Sequence, residues 1–222
     1  GHDPLDVGDE AMMLQKHAPT WVAKKRHLGV KAAEQAGADV VVLDDGLQNP
    51  SIVKDCIIVC VDGLRKFGNQ KIFPAGPLRE SVESGLDKAN MVFHMGDDDS
   101  WLQFNPMYKT KAVSNSKPSH EKYIAFSGTA NPEKFYRSLD EQKFNVIEKI
   151  DFPDHHMFTD SDIARLLQLS SQQGAKLITT EKDHVRLAKD VQKKVELFPI
   201  SLKVENSEAA MDLILKTLDL VS

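Results

Sequence analysis

A chain of 222 residues with 41% hydrophobic content can bury real cores, so it reads as one large or two small α/β domains rather than a disordered tail. Its formal charge of −5, from 28 basic and 33 acidic residues, supplies no global basic field and no local basic patch stands out, which disfavours nucleic acid as a partner. The longest apolar runs are about six residues, against the roughly 20 that a bilayer-spanning helix needs, so no segment of it is expected to cross a membrane.

The opening, GHDPLDVGDE, has neither the basic flank nor the apolar stretch of a signal peptide, and without an initiator Met it reads as the interior of something longer. GDEAMMLQKHA then predicts a helix with Asp9 as N-cap, and KKRHLGVKAAEQAG one that closes on Gly37. Strands are expected at ADVVVLDDG (Ala38–Gly46), CIIVCVDG (Cys56–Gly63) and ANMVFHMG (Ala89–Gly96). Both cysteines, Cys56 and Cys60, fall on one face of the second of these, where they read as small core residues of a reducing compartment. MYKTKAVSN (Met107–Asn115) is strand-like, with Pro, Ser and charge on both sides, and suits a connector between two lobes. Further strands follow at KYIAFSGTA (Lys122–Ala130), FNVIEKIDF (Phe144–Phe152) and AKLITTEKD (Ala175–Asp183). Between them lie the helices NPEKFYRSLDEQK, with Asn131 as cap and Pro132 in the first turn, and TDSDIARLLQLSSQQG, bounded by Thr159 and Gly174. ELFPISLKVE (Glu196–Glu205) can pair with the connector as a two-stranded tie, and SEAAMDLILKTLDLV is a last amphipathic helix. This alternation is that of βαβ units around parallel sheets, with expected divisions at 1–105 (core lobe), 106–118 (linker strand), 119–195 (second α/β lobe) and 196–222 (return strand and helix).

Ligands of doubly wound sheets collect at the carboxyl ends of strands, so polar residues just after apolar runs are where chemistry is sought. Asp44 and Asp45, at the mouth of VVVLDDGLQ, offer hard oxygen ligands for Mg²⁺ near a nucleotide's phosphates, as a Walker B element does; a plain Asp-Gly turn is the ordinary alternative. Gln48 follows closely. Asp9 and Glu10 are a helix cap with a dipole-favoured neighbour, or else the carboxylate that phosphoryl transfer needs to orient or deprotonate an attacking hydroxyl.

FPDHHMFT sets Asp154, His155 and His156 before a helix, as metal ligands, a proton-transfer pair or a polar capping loop. Adjacent histidines point in different directions, which makes one shared metal awkward, whereas His155 against Asp9 would tune or share its proton. The Gly/Pro-punctuated loop GNQKIFPAGPLRE (Gly68–Glu80), carrying Arg79 and Glu80, has the length of a site-lining loop. In TTEKD, Lys182 can meet a phosphate or simply solvent, and FSGTANPEKF is a strand-Gly-helix turn without the GK[ST] end of a P-loop. No G-x-x-x-x-G-K-[ST] occurs in the 222 residues, so a Walker B role for Asp44 and Asp45 would put the nucleotide-holding loop upstream of Gly1. A metal-dependent phosphohydrolase using Asp44, Asp45 and the Asp154–His156 motif, and a non-catalytic binding or structural module, stay open at this level.

VGDEAMML, GADVVVLDDGLQNP, VDGLRKFGNQKIFPAGPLRE, NPEKFY, FPDHHMFT and TEKD, in that order over nearly the whole chain, resemble the tetraacyldisaccharide 4'-kinases of lipid A biosynthesis. The resemblance implies a P-loop NTPase-like three-layer α/β/α fold of two lobes joined by a two-stranded linker, with the N-terminal P-loop portion outside this sequence. It implies ATP and Mg²⁺ as cofactors, an acylated glucosamine disaccharide as acceptor, and peripheral contact with the cytoplasmic face of the bacterial inner membrane. It makes Asp9 the catalytic base with His155 as its partner, and Glu10 an acidic neighbour. Asp44 and Asp45 become the Mg²⁺-side pair, and Gln48, Arg79 and Glu80 residues that line the same cleft. The chain departs from the family pattern at Leu47, where Phe is commoner, at Asn49, where His is, and in SGTAN, where AGIGN is usual.

Overall fold

The computed structural model describes residues 7–96, 98–114 and 116–220. They divide into two compact units, the described residues of Gly1–Val22 and Ser114–Ile200 forming one and those of Ala23–Val113 and Ser201–Ser222 the other. The chain thus passes between units at 22/23, 113/114 and 200/201.

The first unit is built on a four-stranded, all-parallel sheet in the order β5-β4-β6-β7, from β4 (Lys122–Ser127), β5 (Val146–Asp151), β6 (Ala175–Thr180) and β7 (Val195–Phe198). Five of the six residues of the central strand β4 are buried, as a strand covered on both faces demands. Alternation sends Tyr123 and Ala125 to one face, where α4 (Pro132–Glu141) adds Phe135, Tyr136 and Leu139. It sends Ile124 and Phe126 to the other, where α5 (Asp160–Gln173) adds Leu166 and α7 (Lys189–Gln192) adds Val191. The result is a three-layer α/β/α sandwich. α1 (Asp9–Leu14) packs on α6 (Glu181–His184), which is why residues 7–22 group here rather than with the segment that follows them, against the expectation of one lobe over 1–105.

α5 shows how the local sequence fixes an element. The Thr159 hydroxyl accepts from the Asp162 amide at 3.2 Å while the Asp162 carboxylate accepts from the Thr159 amide at 2.9 Å, a closed capping box. Gly174 ends the helix in the left-handed region at φ 57°.

The second unit holds a sheet in the order β1-β2-β3-β8, in which β1 (Ile58–Asp62), β2 (Met91–Met95) and β3 (Met107–Val113) are parallel and β8 (Ser201–Val204) is antiparallel to β3. Thr110 faces Val204 and Val113 faces Ser201, so the expected tie forms, as part of a larger sheet. The same unit holds α2 (Arg26–Gln35), α3 (Val82–Asp87) and α8 (Ser207–Thr217), the last packed on β8. Its fully buried apolar centre is small, Val61, Val92 and Leu102, supported by partly buried Phe67, Trp101 and Phe104.

Four expectations are corrected here. Ala38–Gly46 is not a strand: Val42 is 90% exposed and no described segment offers the run a hydrogen-bonding neighbour, without which apolar alternation makes no ladder. Cys60 is exposed rather than in the core, because alternation along β1 turns Val59 and Val61 to the buried cluster and Cys60 to the opposite face. The single return strand over 196–205 is two strands, β7 and β8, parted around Pro199, which has no N–H to give a ladder. Asp9 is the first helical residue of α1, and Gly8 at φ 84° is its N-cap. Among the described residues no helix is long and apolar enough to cross a membrane.

The Asp162 carboxyl is held at about 2, below its ordinary 3.8, chiefly by the Thr159 hydroxyl and amide and then by His156. A depressed folded-state value means that this stabilisation is complete above the unfolded value and is lost as pH falls through about 2. Loss of the cap in Thr159→Ala should cost about 1 kcal/mol in urea unfolding at neutral pH, and Asp162→Asn should flatten the pH dependence of stability as pH falls toward about 2.

Candidate active site

The polar residues of the first unit converge where β4, β5 and β6 end. Asp183, in α6 just past β6, is 0% exposed and accepts from every side: Ser127 Oγ at 3.2 Å, the Gly128 amide at 3.1 Å and Thr180 Oγ1 at 2.8 Å, all to Oδ2. Its other oxygen, Oδ1, takes Arg186 Nη1 at 3.2 Å. This buried carboxylate fixes the guanidinium, whose side chain is 3% exposed. Arg186 Nη1 also donates to the Gly128 carbonyl at 3.1 Å. Gly128 admits no side chain cheaply, since a Cβ there would lie 3.2 Å from both Asp183 Oδ1 and the His156 Cβ.

The free edge of that guanidinium meets the two residues of the sequence that were matched as base and partner. Arg186 Nη2 donates to Asp9 Oδ2 and lies 3.2 Å from His155 Nδ1. Asp9 Oδ2 and His155 Nδ1 are themselves 4.0 Å apart, and Lys182 Nζ is 3.8 Å from Asp9 Oδ2 and 3.8 Å from Glu10 Oε1. Burial raises the Asp9 carboxyl, but the Arg186 hydrogen bond and the charges of Arg186 and Lys182 outweigh it, and the net shift is downward. Asp9 is thus an ionised acceptor at neutral pH, 13% exposed at its side chain. His155, 63% exposed at its side chain, sits at φ 58°, and its amide is tied to the Gly128 carbonyl at 3.1 Å.

The other members of FPDHHMFT have different work. His156 Nε2 pairs with Asp162 Oδ2 at 3.0 Å and its ring stacks on Phe152 at 4.8 Å, so it buttresses the start of α5. Asp154 Oδ1 accepts from the His155 amide at 3.0 Å, while its Oδ2 stands 3.8 Å from His155 Nε2. The two histidines point apart, and among the described residues no three His, Cys, Asp or Glu side chains come together as a metal cage.

The second unit gathers the remaining candidates. Asp44 and Asp45 lie in a turn, Asp45 at φ 50°, whose carbonyls accept from Arg26 Nη1 at 2.6 and 2.9 Å. With the carbonyls so held, both carboxylates face solvent; Asp45 Oδ2 takes Arg79 Nη1 at 2.9 Å. Gln48 Nε2 donates to Glu80 Oε1 at 3.1 Å, and Glu80 is anchored by Lys88 and by Ser84 Oγ at 2.7 Å, which hold its carboxyl below the usual range. The loop presenting Arg79 and Glu80 is closed on itself by Asn69 Nδ2 to the Ala75 carbonyl, 2.9 Å, and Phe73 N to the Leu78 carbonyl, 2.8 Å. Gly76 is required there, because a Cβ would come within 2.1 Å of Asn69 Oδ1 and 2.3 Å of the Lys71 carbonyl. Adjacent solvent-facing carboxylates fit Mg²⁺ of the kind that arrives with a nucleotide and keeps most of its own waters, rather than a metal held in an all-protein cage.

Arg186 was not among the sequence candidates. The signal available was slight: an acidic residue and an arginine three apart just beyond TTEKD, a spacing that brings side chains together on one turn.

The sequence profile of the LpxK family, tetraacyldisaccharide-1-P 4'-kinase, matches residues 1–219. The tetraacyldisaccharide 4'-kinase of Rhodospirillum centenum is 38% identical over 216 residues, covering 93% of this chain and 64% of that protein. That of Parvibaculum lavamentivorans is 42% identical over 199 residues, covering 84% of this chain and 58% of the relative. The chain therefore spans about two thirds or less of the length of these curated relatives. The crystal structure of LpxK from Aquifex aeolicus in complex with ATP is similar in fold, with a TM-score of 0.76 at 23% identity over 98% of this chain and 71% of that one.

Removing Asp183 strands a buried guanidinium, so Asp183→Ala should lower the unfolding free energy by about 3 kcal/mol. Glu181→Ala, which breaks only the more exposed pair with Lys16 at 3.0 Å, should cost less than about 1 kcal/mol in the same urea titration.

Proposed function

Because the chain belongs to the tetraacyldisaccharide-1-P 4'-kinase family, we propose that its parent protein transfers the γ-phosphoryl of ATP to the 4'-hydroxyl of a tetraacylated glucosamine disaccharide in lipid A biosynthesis. The observation that carries this reading is the convergence of Asp9, Arg186, Lys182 and His155 at the carboxyl ends of parallel strands.

Phosphoryl transfer passes through a loose transition state, so the protein's work is positioning, charge compensation and late acceptance of one proton. Asp9 is suited to the last of these: ionised, weakly basic and held at one oxygen by Arg186, it accepts the acceptor hydroxyl's proton as the new P–O bond forms. His155 stands beside it on the same Arg186 guanidinium, with Nδ1 4.0 Å from Asp9 Oδ2, and helps to set the position of the base. Lys182 brings a positive charge near Asp9 and Glu10, where a transferring phosphoryl group would otherwise meet two carboxylates.

In the second unit Asp44 and Asp45 would hold the Mg²⁺ that accompanies ATP, supplying neutralisation of phosphate charge, while Arg79, Gln48 and Glu80 keep the adjoining loop in place. We read residues 23–113 as the remainder of a P-loop NTPase-like lobe and 119–195 as most of the second lobe, with the triphosphate-binding loop outside these 222 residues. An acylated acceptor also implies peripheral contact with the cytoplasmic face of the inner membrane. A metal-dependent phosphohydrolase is less well served, since His156 is already engaged by Asp162 and Phe152.

In the full-length protein, Asp9→Ala and His155→Ala should each lower kcat by a factor on the order of 10². The assay is transfer of labelled γ-phosphate from ATP to a tetraacyldisaccharide acceptor. Undiminished turnover in either variant would remove that residue from the reaction.

A further inference from the structure

We propose that Arg186 is the positioning residue that couples Asp9 to His155: one edge of its guanidinium orients both, and fixes the imidazole as the tautomer protonated at Nε2. The role in turnover rests on the kinase reading above, whereas the tautomer follows from geometry alone.

A guanidinium carries five N–H donors and no acceptor. A hydrogen bond between Arg186 Nη2 and His155 Nδ1 at 3.2 Å therefore needs a lone pair on Nδ1, which leaves the ring proton on Nε2. A direct bond from His155 to Asp9 would need the opposite tautomer, and the 4.0 Å between Nδ1 and Oδ2 is too long for one. Two acceptors thus converge on a single donor group. They are bridged by the cation rather than joined to each other.

The bridge cannot swing away easily. Arg186 Nη1 is held by Asp183 Oδ1 and by the Gly128 carbonyl, and the same carbonyl accepts from the His155 amide at 3.1 Å. Backbone and ring of His155 are consequently referenced to one anchor, which is itself set by the wholly buried Asp183. Lys182 adds charge near Asp9 but is a flexible point donor, without the planar fork that can serve an anchoring carboxylate on one side and two acceptors on the other. Shape as well as charge is needed at position 186, so lysine should not substitute. The consequence for the reaction is that His155 presents Nε2–H outward and keeps its basic nitrogen inward against Arg186.

The experiment is a long-range ¹H–¹⁵N correlation on full-length protein labelled at histidine nitrogens, with the His155 signals assigned by loss in His155→Gln. Wild type should give an unprotonated Nδ1 and a protonated Nε2 at neutral pH, and Arg186→Met and Arg186→Lys should both give mixed tautomers. In the kinase assay both variants should lose about tenfold or more in kcat, with KM for ATP within about twofold, because orientation rather than nucleotide binding is disturbed. A protonated Nδ1 in wild type overturns the proposal, as does an unchanged tautomer in Arg186→Met or full rescue of kcat by Arg186→Lys. If Arg186→Met does not fold, the wild-type spectrum and Arg186→Lys still decide. If wild type shows the predicted tautomer but phosphorylates no acylated disaccharide, the kinase reading fails and the coupling stands.

Discussion

A carboxylate buried completely, with an arginine as its counter-ion, is the constraint on which the polar end of the first unit depends. Asp183 can remain in that interior only because Ser127, Gly128, Thr180 and Arg186 all donate to it. These donors come from the ends of two neighbouring strands and the turn beyond, so satisfying one charge draws the chain ends together. What remains of the guanidinium then faces outward as a preset docking edge. Side chains far apart in sequence, Asp9 and His155, find each other because both answer to that edge.

The sheet explains why the charge lies where it does. Parallel strands need crossover connections, and α4 and α5 cover the two faces of β4, so irregular chain gathers at the strand ends. Gly128 follows β4, FPDHHMFT follows β5 and Asp183 follows β6, all at the same, carboxyl-terminal edge. Aromatic packing of Phe126, Phe152 and Phe158, with the ring of His156 stacked among them, gives the His155 turn a rigid floor. Rigid support below and solvent above leave the His155 ring exposed on a fixed turn.

Much of this was legible in the sequence where local chemistry alone decides. The alternation in KYIAFS, the Thr159 and Gly174 boundaries of α5 and the pairing of the connector with the return strand all follow from patterns a few residues long. Family likeness, not spacing, had put Asp9 and His155 in one site, and the structure brings them to 4.0 Å across the Arg186 guanidinium without a direct bond. The pattern misled where the outcome depends on a partner: VVVLDD has every mark of a strand, yet Val42 lies in solvent, because a strand is a property of two segments and not of one. Cys60 was misjudged because alternation alone does not say which face of β1 is covered, and the buried cluster lies on the face of Val59 and Val61. Arg186 stayed invisible because nothing in a sequence says that an arginine will be buried; only the three-dimensional placement of Asp183 makes it so.

The backbone at position 155 carries one more meaning. A histidine at φ 58° occupies a region that glycine or asparagine enters at lower cost, and the difference for a side chain of this size is on the order of 1 kcal/mol. Thermal selection acting on this chain without regard to turnover would thus be expected to drift toward glycine there. An imidazole at this position therefore holds its place beside Arg186 at a small cost in local backbone energy.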